Sequence, residues 1–271
     1  IISVGNLTVG GSGKTPFVVL LSKLLSSLGN RHAVVSRGYK RRSSKTIILT
    51  KNNKNNYGVD ETGDEPYMLH SLLPNVPIFI GDKLEGIKLG SEKYNIKTFV
   101  LDDGFQTFNI KKNINIVLVD LSLKFKDYQL LPLGFLREPL KKIKLADVVI
   151  FTKQNLSENN SQTKKIVRLF NQYINKEKQL CLDADFFSSL MFSPKNKSNV
   201  LPVVDSLEKN KKIIAISGIA NNSSFHRIVD LYFSNVIIKI SFQDHHNYST
   251  KDIEKINQIL RKKNIDSIVT T

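Results

Sequence analysis

The sequence contains one cysteine, Cys181, and no tryptophan. A single cysteine cannot form a disulfide within the chain, and it cannot supply the several thiolates of a cysteine-based zinc site. Scarce cysteine is typical of proteins that fold in a reducing compartment. We interpret Cys181 as a small buried apolar residue.

The chain also lacks long apolar runs, since no stretch of about 18 consecutive apolar residues occurs in it. With 271 residues and 41% hydrophobic content, it can form one large core or two smaller ones. The sequence begins inside a strand-like run at Ile1 and stops inside another apolar run at Thr271. We therefore expect both termini to be truncated.

Acidic residues are few: 24 Asp and Glu stand against 40 Lys and Arg, for a net charge of +16. Such an excess favours an anionic partner, which could be nucleic acid, an acidic lipid surface or a phosphorylated substrate. Part of the charge reflects a composition rich in Lys, Asn and Ile throughout. Aromatic residues do not alternate with the basic runs, which argues against nucleic acid.

Short β-branched runs alternate with amphipathic stretches, and this pattern predicts an α/β fold with a mostly parallel sheet and helices on both faces. The predicted strands are Ile1–Val4, Arg31–Ser36, Val76–Ile80, Phe99–Leu101, Ile116–Val119, Val148–Phe151, Ile213–Ser217 and Val236–Ile240. The predicted helices are Lys14–Leu28, Lys83–Tyr94, Thr163–Asn175, Ser223–Phe233 and Lys251–Lys262. Ser249 or Thr250 can cap the last helix.

A polar stretch at residues 155–162 predicts a passage between two domains. Residues 1–155 would form a P-loop domain that binds nucleotide and substrate. Residues 156–271 would form a second, smaller α/β domain that carries Asp244-His245-His246. Residues 40–57, rich in Lys and Asn around one β-like piece, suggest a hairpin or mobile insertion.

A phosphate-binding loop is the strongest single motif, because it follows a predicted strand and opens a predicted helix. Backbone N–H groups of its glycines can surround phosphate oxygens, the lysine can reach the β and γ phosphates, and the threonine hydroxyl can ligate Mg²⁺. The loop is Gly10-Gly11-Ser12-Gly13-Lys14-Thr15. Thr8 stands where the general pattern has its first glycine. A glycine-rich turn without a ligand is the alternative.

The metal of a P-loop protein needs an acidic partner at the end of a neighbouring strand. Asp102 and Asp103 follow one apolar strand and Asp120 follows another. We favour Asp102 and Asp103, because a carboxylate pair can divide its work between Mg²⁺ and the transferred phosphoryl group. Asp120 is interpreted as a carboxylate that caps the next turn.

Several further segments occur together with the loop and in a fixed order. They are Val4–Pro16, Ser36–Tyr39, Gly63–Pro66, Leu101–Gln106, Leu133–Pro139 and Phe242–His246. This series resembles the motifs of the tetraacyldisaccharide 4'-kinase family over nearly the whole chain. Thr8 is the normal residue at its position in that family. The chain departs from the family at Thr107, where histidine is usual, and at Lys40, where glycine is usual.

The resemblance implies two α/β/α domains and transfer of the γ-phosphate of ATP, with Mg²⁺, to the 4'-hydroxyl of a tetraacyldisaccharide 1-phosphate. It also implies a place at the cytoplasmic face of the bacterial inner membrane, where an anionic membrane surface and the lipid disaccharide are the partners. A membrane-associating helix would precede Ile1. We expect neither a nucleic acid nor an obligate protein partner.

A carboxylate that accepts the proton of the sugar hydroxyl would help such a reaction. Asp64 is the candidate base, and His245 is its candidate partner because an imidazole can orient an aspartate and tune its pKa. The pair resembles the aspartate and histidine dyad proposed for the family. By sequence alone Asp64 could be a helix cap, and the adjacent His246 is the competing histidine.

Polar residues beside glycine or proline are the candidates for substrate binding, since loops at the carboxyl ends of strands carry ligand sites. They are Arg37, Tyr39, Glu65, Gln106, Arg137 and Glu138. Arg137 could hold a phosphate through paired hydrogen bonds, or form only a salt bridge with Glu138. The basic runs at 40–42 and 141–144 suit anionic headgroups, although solvated charge explains them equally well.

A P-loop NTPase that acts as a metallochaperone or regulatory switch is the alternative function. Such a protein needs no base for an acceptor hydroxyl, so Asp64 and His245 would be dispensable for its turnover. Thr152-Lys153 resembles the start of a guanine-binding motif, but Asn155 stands where aspartate is needed. A third interpretation, a nucleic-acid ATPase, rests only on the positive net charge of the chain.

Overall fold

The computed structural model describes the chain except residues 40, 43–44, 54–55, 158, 188–189, 194–195, 203–210, 220 and 245, and gives backbone alone for 190–193 and 196–202. The predicted α/β class is confirmed. The chain forms two compact units. The first contains Ile1–Thr152 and Asn159–Ala184, and the second contains Lys153–Glu158 and Asp185–Thr271.

An eight-stranded sheet forms the centre of the first unit, in the order β3-β4-β2-β5-β1-β6-β7-β8. The strands are β1 Ile2–Asn6, β2 His32–Ser36, β3 Ile47–Leu49, β4 Ile78–Ile80, β5 Thr98–Asp102, β6 Ile114–Asp120, β7 Val148–Thr152 and β8 Leu180–Ala184. Every neighbouring pair is parallel except β3 with β4. The carboxyl ends of the parallel strands therefore meet at one edge.

Helices cover both faces of this sheet because its strands are apolar on both sides. The helices of the first unit are α1 Lys14–Ser27, α2 Val59–Thr62, α3 Asp64–Leu72, α4 Lys83–Tyr94 and α5 Asn160–Asn171. Val18 of α1 and Leu69 of α3 belong to one core cluster with Val34 and Val100. The strand neighbours of Val34 and Val100 belong to a second cluster with residues of α4. Alternate residues of β6 and β7 belong to a third cluster with residues of α5.

A three-stranded parallel sheet forms the core of the second unit, with β11 in the middle. Its elements are β11 Ile213–Ser217, β12 Val236–Ser241, β13 Ser267–Thr270, α6 Asn222–Tyr232 and α7 Thr250–Lys263; β9 Leu190–Ser193 and β10 Asn196–Pro202 form a separate antiparallel pair. The Ser249 side chain accepts a hydrogen bond from Asp252 N, 3.2 Å away, so Ser249 caps α7.

The structure adds elements that the sequence pattern did not predict. Helices α2 and α3 are short, and α3 has a proline at its third residue, so its pattern was too brief to be recognised. The β8 strand lies at the sheet edge and is largely exposed, and it therefore lacks an apolar run. The strand within residues 40–57 pairs with β4 of the main sheet.

The predicted domain boundary at residue 155 stays a prediction. The chain passes into the second compact unit near the predicted boundary, but at this point only the segment Lys153–Glu158 belongs to that unit. Residues 159–184 return to the first unit, where α5 packs against the sheet and β8 extends it. Among the described residues, no helix combines the length and apolar character needed to cross a bilayer.

We expect Gly5→Ala to lower the free energy of unfolding by roughly 1–3 kcal/mol, because an added methyl group overpacks the core. A Cβ at this position would lie 2.5 Å from Phe105 Cβ and 2.8 Å from Phe105 N. Urea unfolding followed by circular dichroism measures the change. Gly58→Ala is the matched control, since a Cβ there meets nothing within 4 Å. Equal stability of both variants would contradict the prediction.

Candidate active site

The phosphate-binding loop connects the buried end of β1 to the start of α1. Gly10 and Gly13 have φ angles of 96° and 90°, which glycine adopts without strain. Gly13 directly precedes α1, so Lys14 is the first helical residue and Thr15 the second. The N-terminus of a helix favours anions through its backbone N–H groups and its dipole. The local geometry is therefore that of a phosphate site.

Neighbouring elements hold both sides of this loop. Val9 N donates to Phe135 O over 2.7 Å, and Arg137 N donates to Leu7 O over 2.8 Å. On the other side, the Thr152 hydroxyl at the end of β7 donates to Ser12 O over 3.2 Å. The loop is thus fixed by the protein before any ligand binds.

Lys14 contacts polar groups at the end of β1 and the end of β5. Its Nζ donates to Asn6 Oδ1 over 3.1 Å and lies 3.8 Å from the Asp103 carboxylate. Asn6 is fully buried, and its amide also donates to the Thr8 hydroxyl over 3.2 Å. Sequence analysis missed Asn6, although an asparagine at the buried end of an apolar strand is a signal of a polar role.

Arg137 forms a two-point hydrogen bond with Asp103, with N–O distances of 3.0 and 2.9 Å. The same guanidinium donates to Asn6 Oδ1 over 2.6 Å. Burial raises the pKa of Asp103, but the hydrogen bond from Arg137 and the charge of Lys14 outweigh it and lower this pKa to about 2. The carboxylate partner of Arg137 is therefore Asp103, an ionised group 34 residues away in the sequence.

Asp102 is more deeply buried than Asp103 and has a different environment. Its carboxylate accepts a hydrogen bond from the Ser36 hydroxyl at 3.2 Å. Burial, and then the neighbouring charge of Asp103, raise the pKa of Asp102. Asp102 is the last residue of β5, whereas Asp103 has a positive φ of 48°, so the backbone conformation changes between the two aspartates. The pair thus offers two carboxylates with opposite pKa shifts.

Lys83 is a charged residue of this region that sequence analysis missed. Its buried ammonium donates to Asp102 O over 2.7 Å and to Asp103 O over 2.5 Å. Burial lowers its pKa to about 8. Lys83 is the first residue of α4, where a cation opposes the helix dipole. This unfavourable position of a lysine could have indicated from the sequence that Lys83 has a specific role.

Asp64 and Glu65 are the first two residues of α3 and are exposed. Gly63 precedes the helix, and Asp64 Oδ1 accepts from Glu65 N at 3.1 Å. A Cβ on Gly63 would lie 3.1 Å from Tyr39 O. This close approach brings the start of α3 beside the loop that carries Arg37 and Tyr39.

Gln106 reaches the same region, since its Nε2 donates to Asn6 O over 2.9 Å. Three buried polar atoms of these candidate residues have no hydrogen-bond partner in the part of the chain that the structure describes: Gln106 Oε1, Arg137 Nε and Glu138 Oε1. Buried polar atoms of this kind are normally satisfied by water or ligand.

Asp120 is the last residue of β6 and contacts the turn that follows it. Its Oδ1 accepts hydrogen bonds from Ser122 N at 2.9 Å and from the Ser122 hydroxyl at 2.5 Å. The carboxylate therefore supports the turn that follows β6, as the sequence-based interpretation expected.

The histidine segment belongs to the second unit, and His245 lies outside the described residues. The His246 ring is stacked on Phe242 with centroids 4.5 Å apart, and its Nε2 lies 3.1 Å from Asp252 Oδ2. These contacts show that His246 has partners inside its own unit. Pairing of Asp64 with His245 stays a prediction.

Comparison with known proteins gives one family for the whole chain. The family model described as Tetraacyldisaccharide-1-P 4'-kinase matches residues 1–271. The chain belongs to this family. A tetraacyldisaccharide 4'-kinase from Halothermothrix orenii is 36% identical over 100% of this chain and 72% of that protein. One from Aquifex aeolicus is 37% identical over 92% of this chain and 72% of that protein.

A crystal structure of LpxK from Aquifex aeolicus in complex with ATP resembles the fold. It is 34% identical in sequence, with a TM-score of 0.68, and the match covers 92% of this chain and 72% of that chain. The family resemblance seen in the motifs is thus confirmed. The roles of individual site residues in this tetraacyldisaccharide 4'-kinase family member stay predictions.

We expect Lys83→Met to lower the free energy of unfolding by about 1.5–3 kcal/mol per lost charge-assisted hydrogen bond, with some recovery through packing of the methionine. Thermal and urea unfolding measure the loss. Lys88→Met on the exposed side of α4 is the matched control. A Lys83 variant as stable as the Lys88 variant would contradict the assigned contacts.

The pKa of Lys83 also predicts a pH dependence. The folded pKa of about 8 lies below the ordinary 10.5, so the unfolded chain binds more protons between these values. The contribution of Lys83 to the free energy of unfolding must therefore rise with pH across this window. Comparing unfolding curves of the unmodified protein and Lys83→Met at pH 7 and pH 9.5 isolates that rise. An identical pH dependence would refute the lowered pKa.

Proposed function

We propose that the protein is an ATP-dependent kinase that phosphorylates the 4'-hydroxyl of tetraacyldisaccharide 1-phosphate in lipid A biosynthesis. Family membership supports the reaction and the acceptor. The observation that carries the proposal is the fixed position of Lys14 at the start of α1, between Asn6 Oδ1 and the Asp103 carboxylate. This arrangement presents a cation where the phosphates of a nucleotide would lie.

The phosphate-binding loop holds ATP in this proposal. Backbone N–H groups of the loop and the first turn of α1 would surround the β and γ phosphates, and Lys14 would neutralise the negative charge that they carry. The residues assigned to the nucleotide are Thr8, Gly10, Gly11, Ser12, Gly13, Lys14 and Thr15. Thr8 fits a supporting role, because its hydroxyl accepts from the buried Asn6 amide.

The oxygen donors of the site suit Mg²⁺. Magnesium bound to a nucleotide commonly uses one or two protein oxygens and takes its other ligands from phosphate and water. The described residues contain no cluster of three or more His, Cys, Asp or Glu that could hold a metal alone, which is compatible with such shared binding. Thr15 and Asp102 would hold the ion, since both oxygens of Asp103 already accept from Arg137. Bound Mg²⁺ would neutralise charge on the phosphates.

Asp64 is the proposed base for the acceptor. As the 4'-oxygen attacks the γ-phosphorus, its O–H bond breaks and the proton passes to the Asp64 carboxylate. The bond between the γ-phosphorus and the bridging oxygen breaks, and its electron pair leaves with ADP. We infer that His245 orients Asp64. The exposed residues Arg37, Tyr39 and Glu65 would bind the disaccharide beside the start of α3.

Arg137 acts in this proposal through Asp103 and Asn6. Its paired hydrogen bonds keep Asp103 ionised beside Lys14, and its buried Nε, like Gln106 Oε1 and Glu138 Oε1, has no hydrogen-bond partner among the described residues. A hydroxyl or phosphate oxygen of substrate could satisfy buried polar atoms of this kind. Arg137, Gln106 and Glu138 therefore remain assigned to substrate binding.

The acceptor lipid belongs to a membrane, and we infer that the protein works at the cytoplasmic face of the bacterial inner membrane. The net charge of +16 favours association with an anionic surface. Lys141, Lys142 and Lys144 form a basic 3-10 segment that suits such a surface.

The switch-type NTPase is less well supported. The Thr152 hydroxyl donates to backbone oxygens of Ser12 and Val119. Asn155 Nδ2 donates to Phe186 O over 2.7 Å, and Asn155 Oδ1 accepts from Phe186 N at 3.1 Å. Both side chains thus bind the protein itself, which opposes a role in reading guanine.

Transfer of labelled γ-phosphate from ATP to tetraacyldisaccharide 1-phosphate in mixed micelles tests the proposal. We expect labelled lipid from the unmodified protein and a loss of about 10²-fold or more in Asp64→Asn, because the base is removed without a change of shape. Lys14→Ala should fall by at least a similar factor. Glu92→Gln, an exposed acid of α4, is the control.

Two results would overturn the assignment. ATP hydrolysis without labelled lipid would favour the switch-type NTPase. Lipid labelling that is equal in Asp64→Asn and Glu92→Gln would keep the kinase but remove Asp64 as its base.

A further inference from the structure

Helix α1 exposes a row of leucines on the side that faces away from the sheet. Leu20, Leu24 and the adjoining Leu28 have 63%, 54% and 73% of their surfaces exposed. Their spacing of four residues places them on one side of the helix. The opposite side of α1 packs into the core through Val18. Helix α1 is therefore apolar on both its inner and its outer side.

Helix α3 also exposes apolar side chains. Met68 and Leu72 are 44% and 47% exposed, and they follow Asp64 by four and eight residues. The three side chains thus lie in one row along the helix. This row begins at the proposed base and becomes apolar one turn later.

The two helices are neighbours on one face of the main sheet. Val18 of α1 shares a core cluster with Leu69 and Leu73 of α3. Both helices begin beyond the carboxyl ends of parallel strands, so their outer rows run away from the same edge of the sheet. We call the five residues Leu20, Leu24, Leu28, Met68 and Leu72 the apolar face.

Charge beside the leucine row of α1 is basic, whereas α3 begins with the exposed acids Asp64 and Glu65. Lys23 and Arg31 are exposed beside the leucine row, and residues 14–31 contain no Asp or Glu. Residues 66–75 of the α3 segment contain no acidic residue either. A helix that is apolar all round is normally buried or in contact with lipid, and large exposed apolar patches mark binding surfaces. Basic flanks and a net charge of +16 favour an anionic lipid layer over a second copy of the chain.

We propose that the apolar face rests on the surface of an anionic lipid layer, with Lys23 and Arg31 among its headgroups. The contact would hold the start of α3 near the headgroups, where the sugar of an acylated disaccharide is located. Asp64 could then meet the acceptor hydroxyl while the acyl chains stay in the lipid. The proposal rests on the proposed function for its acceptor, but the lipid contact can be measured without catalysis.

Vesicle flotation tests the contact, using phosphatidylcholine vesicles with and without 30 mol% phosphatidylglycerol. We expect the combined variant Leu20→Gln, Leu24→Gln and Leu28→Gln to bind anionic vesicles about 10-fold or more weakly, because it removes the apolar contacts and keeps good helix formers. Leu180→Gln combined with Leu231→Gln is the control, since both leucines are similarly exposed outside the apolar face. Lys23→Gln with Arg31→Gln should reduce only the salt-sensitive part of binding.

Activity in two lipid environments separates this proposal from the proposed function. We expect the triple glutamine variant to phosphorylate substrate at a near-normal rate in detergent micelles and several-fold more slowly in vesicles. If neither the unmodified protein nor any variant phosphorylates the lipid, the proposed function is refuted. The lipid contact is still supported if the variants differ in vesicle binding as expected.

Three outcomes would overturn the contact. The triple glutamine variant could bind anionic vesicles as well as the unmodified protein. It could lose concentration-dependent self-association in analytical ultracentrifugation without losing vesicle binding, which would assign the apolar face to a second copy. It could also lose thermal stability, and with it activity equally in micelles and vesicles, which would assign the three leucines to the fold instead of to a lipid contact.

Discussion

The two-point hydrogen bond between Arg137 and Asp103 is the contact on which the site depends. It joins the end of β5 to residues 135–137, and these residues hydrogen-bond to Leu7 and Val9, just before the phosphate-binding loop. The same guanidinium also binds Asn6 at the end of β1. One side chain therefore fixes the relative positions of the carboxylate pair and the loop.

Positively and negatively charged side chains lie next to one another in the site, and several of them have a partner in common. Asp103 accepts from Arg137 and lies near Lys14, while Lys83 donates to the backbone oxygens of Asp102 and Asp103. Removing water from such groups is costly unless they are paired and hydrogen-bonded. The pairing stabilises a compact set of charges before a ligand binds. A site organised in advance loses little energy to rearrangement when phosphate charges enter it.

Two of the candidate catalytic groups belong to different compact units. Asp64 starts α3 in the first unit, and the Asp244–His246 segment follows β12 in the second. His246 is held inside the second unit by Phe242 and Asp252, and a ring with those contacts is suited to fixing its own segment. Pairing of Asp64 with His245 stays a prediction.

The sequence alone determined the α/β class, the cores of the main strands, the bounds of α4 and the family. Apolar periodicity and glycine spacing are local properties, so they can be read along the chain. It also proposed Lys14, Asp102 and Asp103 as candidates, because Lys14 belongs to a recognisable glycine-rich loop and the two aspartates adjoin a strand end.

Only the tertiary structure decided how these residues are paired. Arg137 binds Asp103 across 34 residues of sequence, and Lys83 donates to the end of β5 from α4. The opposite pKa shifts of Asp102 and Asp103 depend on burial and on those distant partners. The apolar face likewise exists because α1 and α3 pack on one face of the sheet. Parallel strands bring distant segments to one edge, and local sequence carries no record of which side chains meet there.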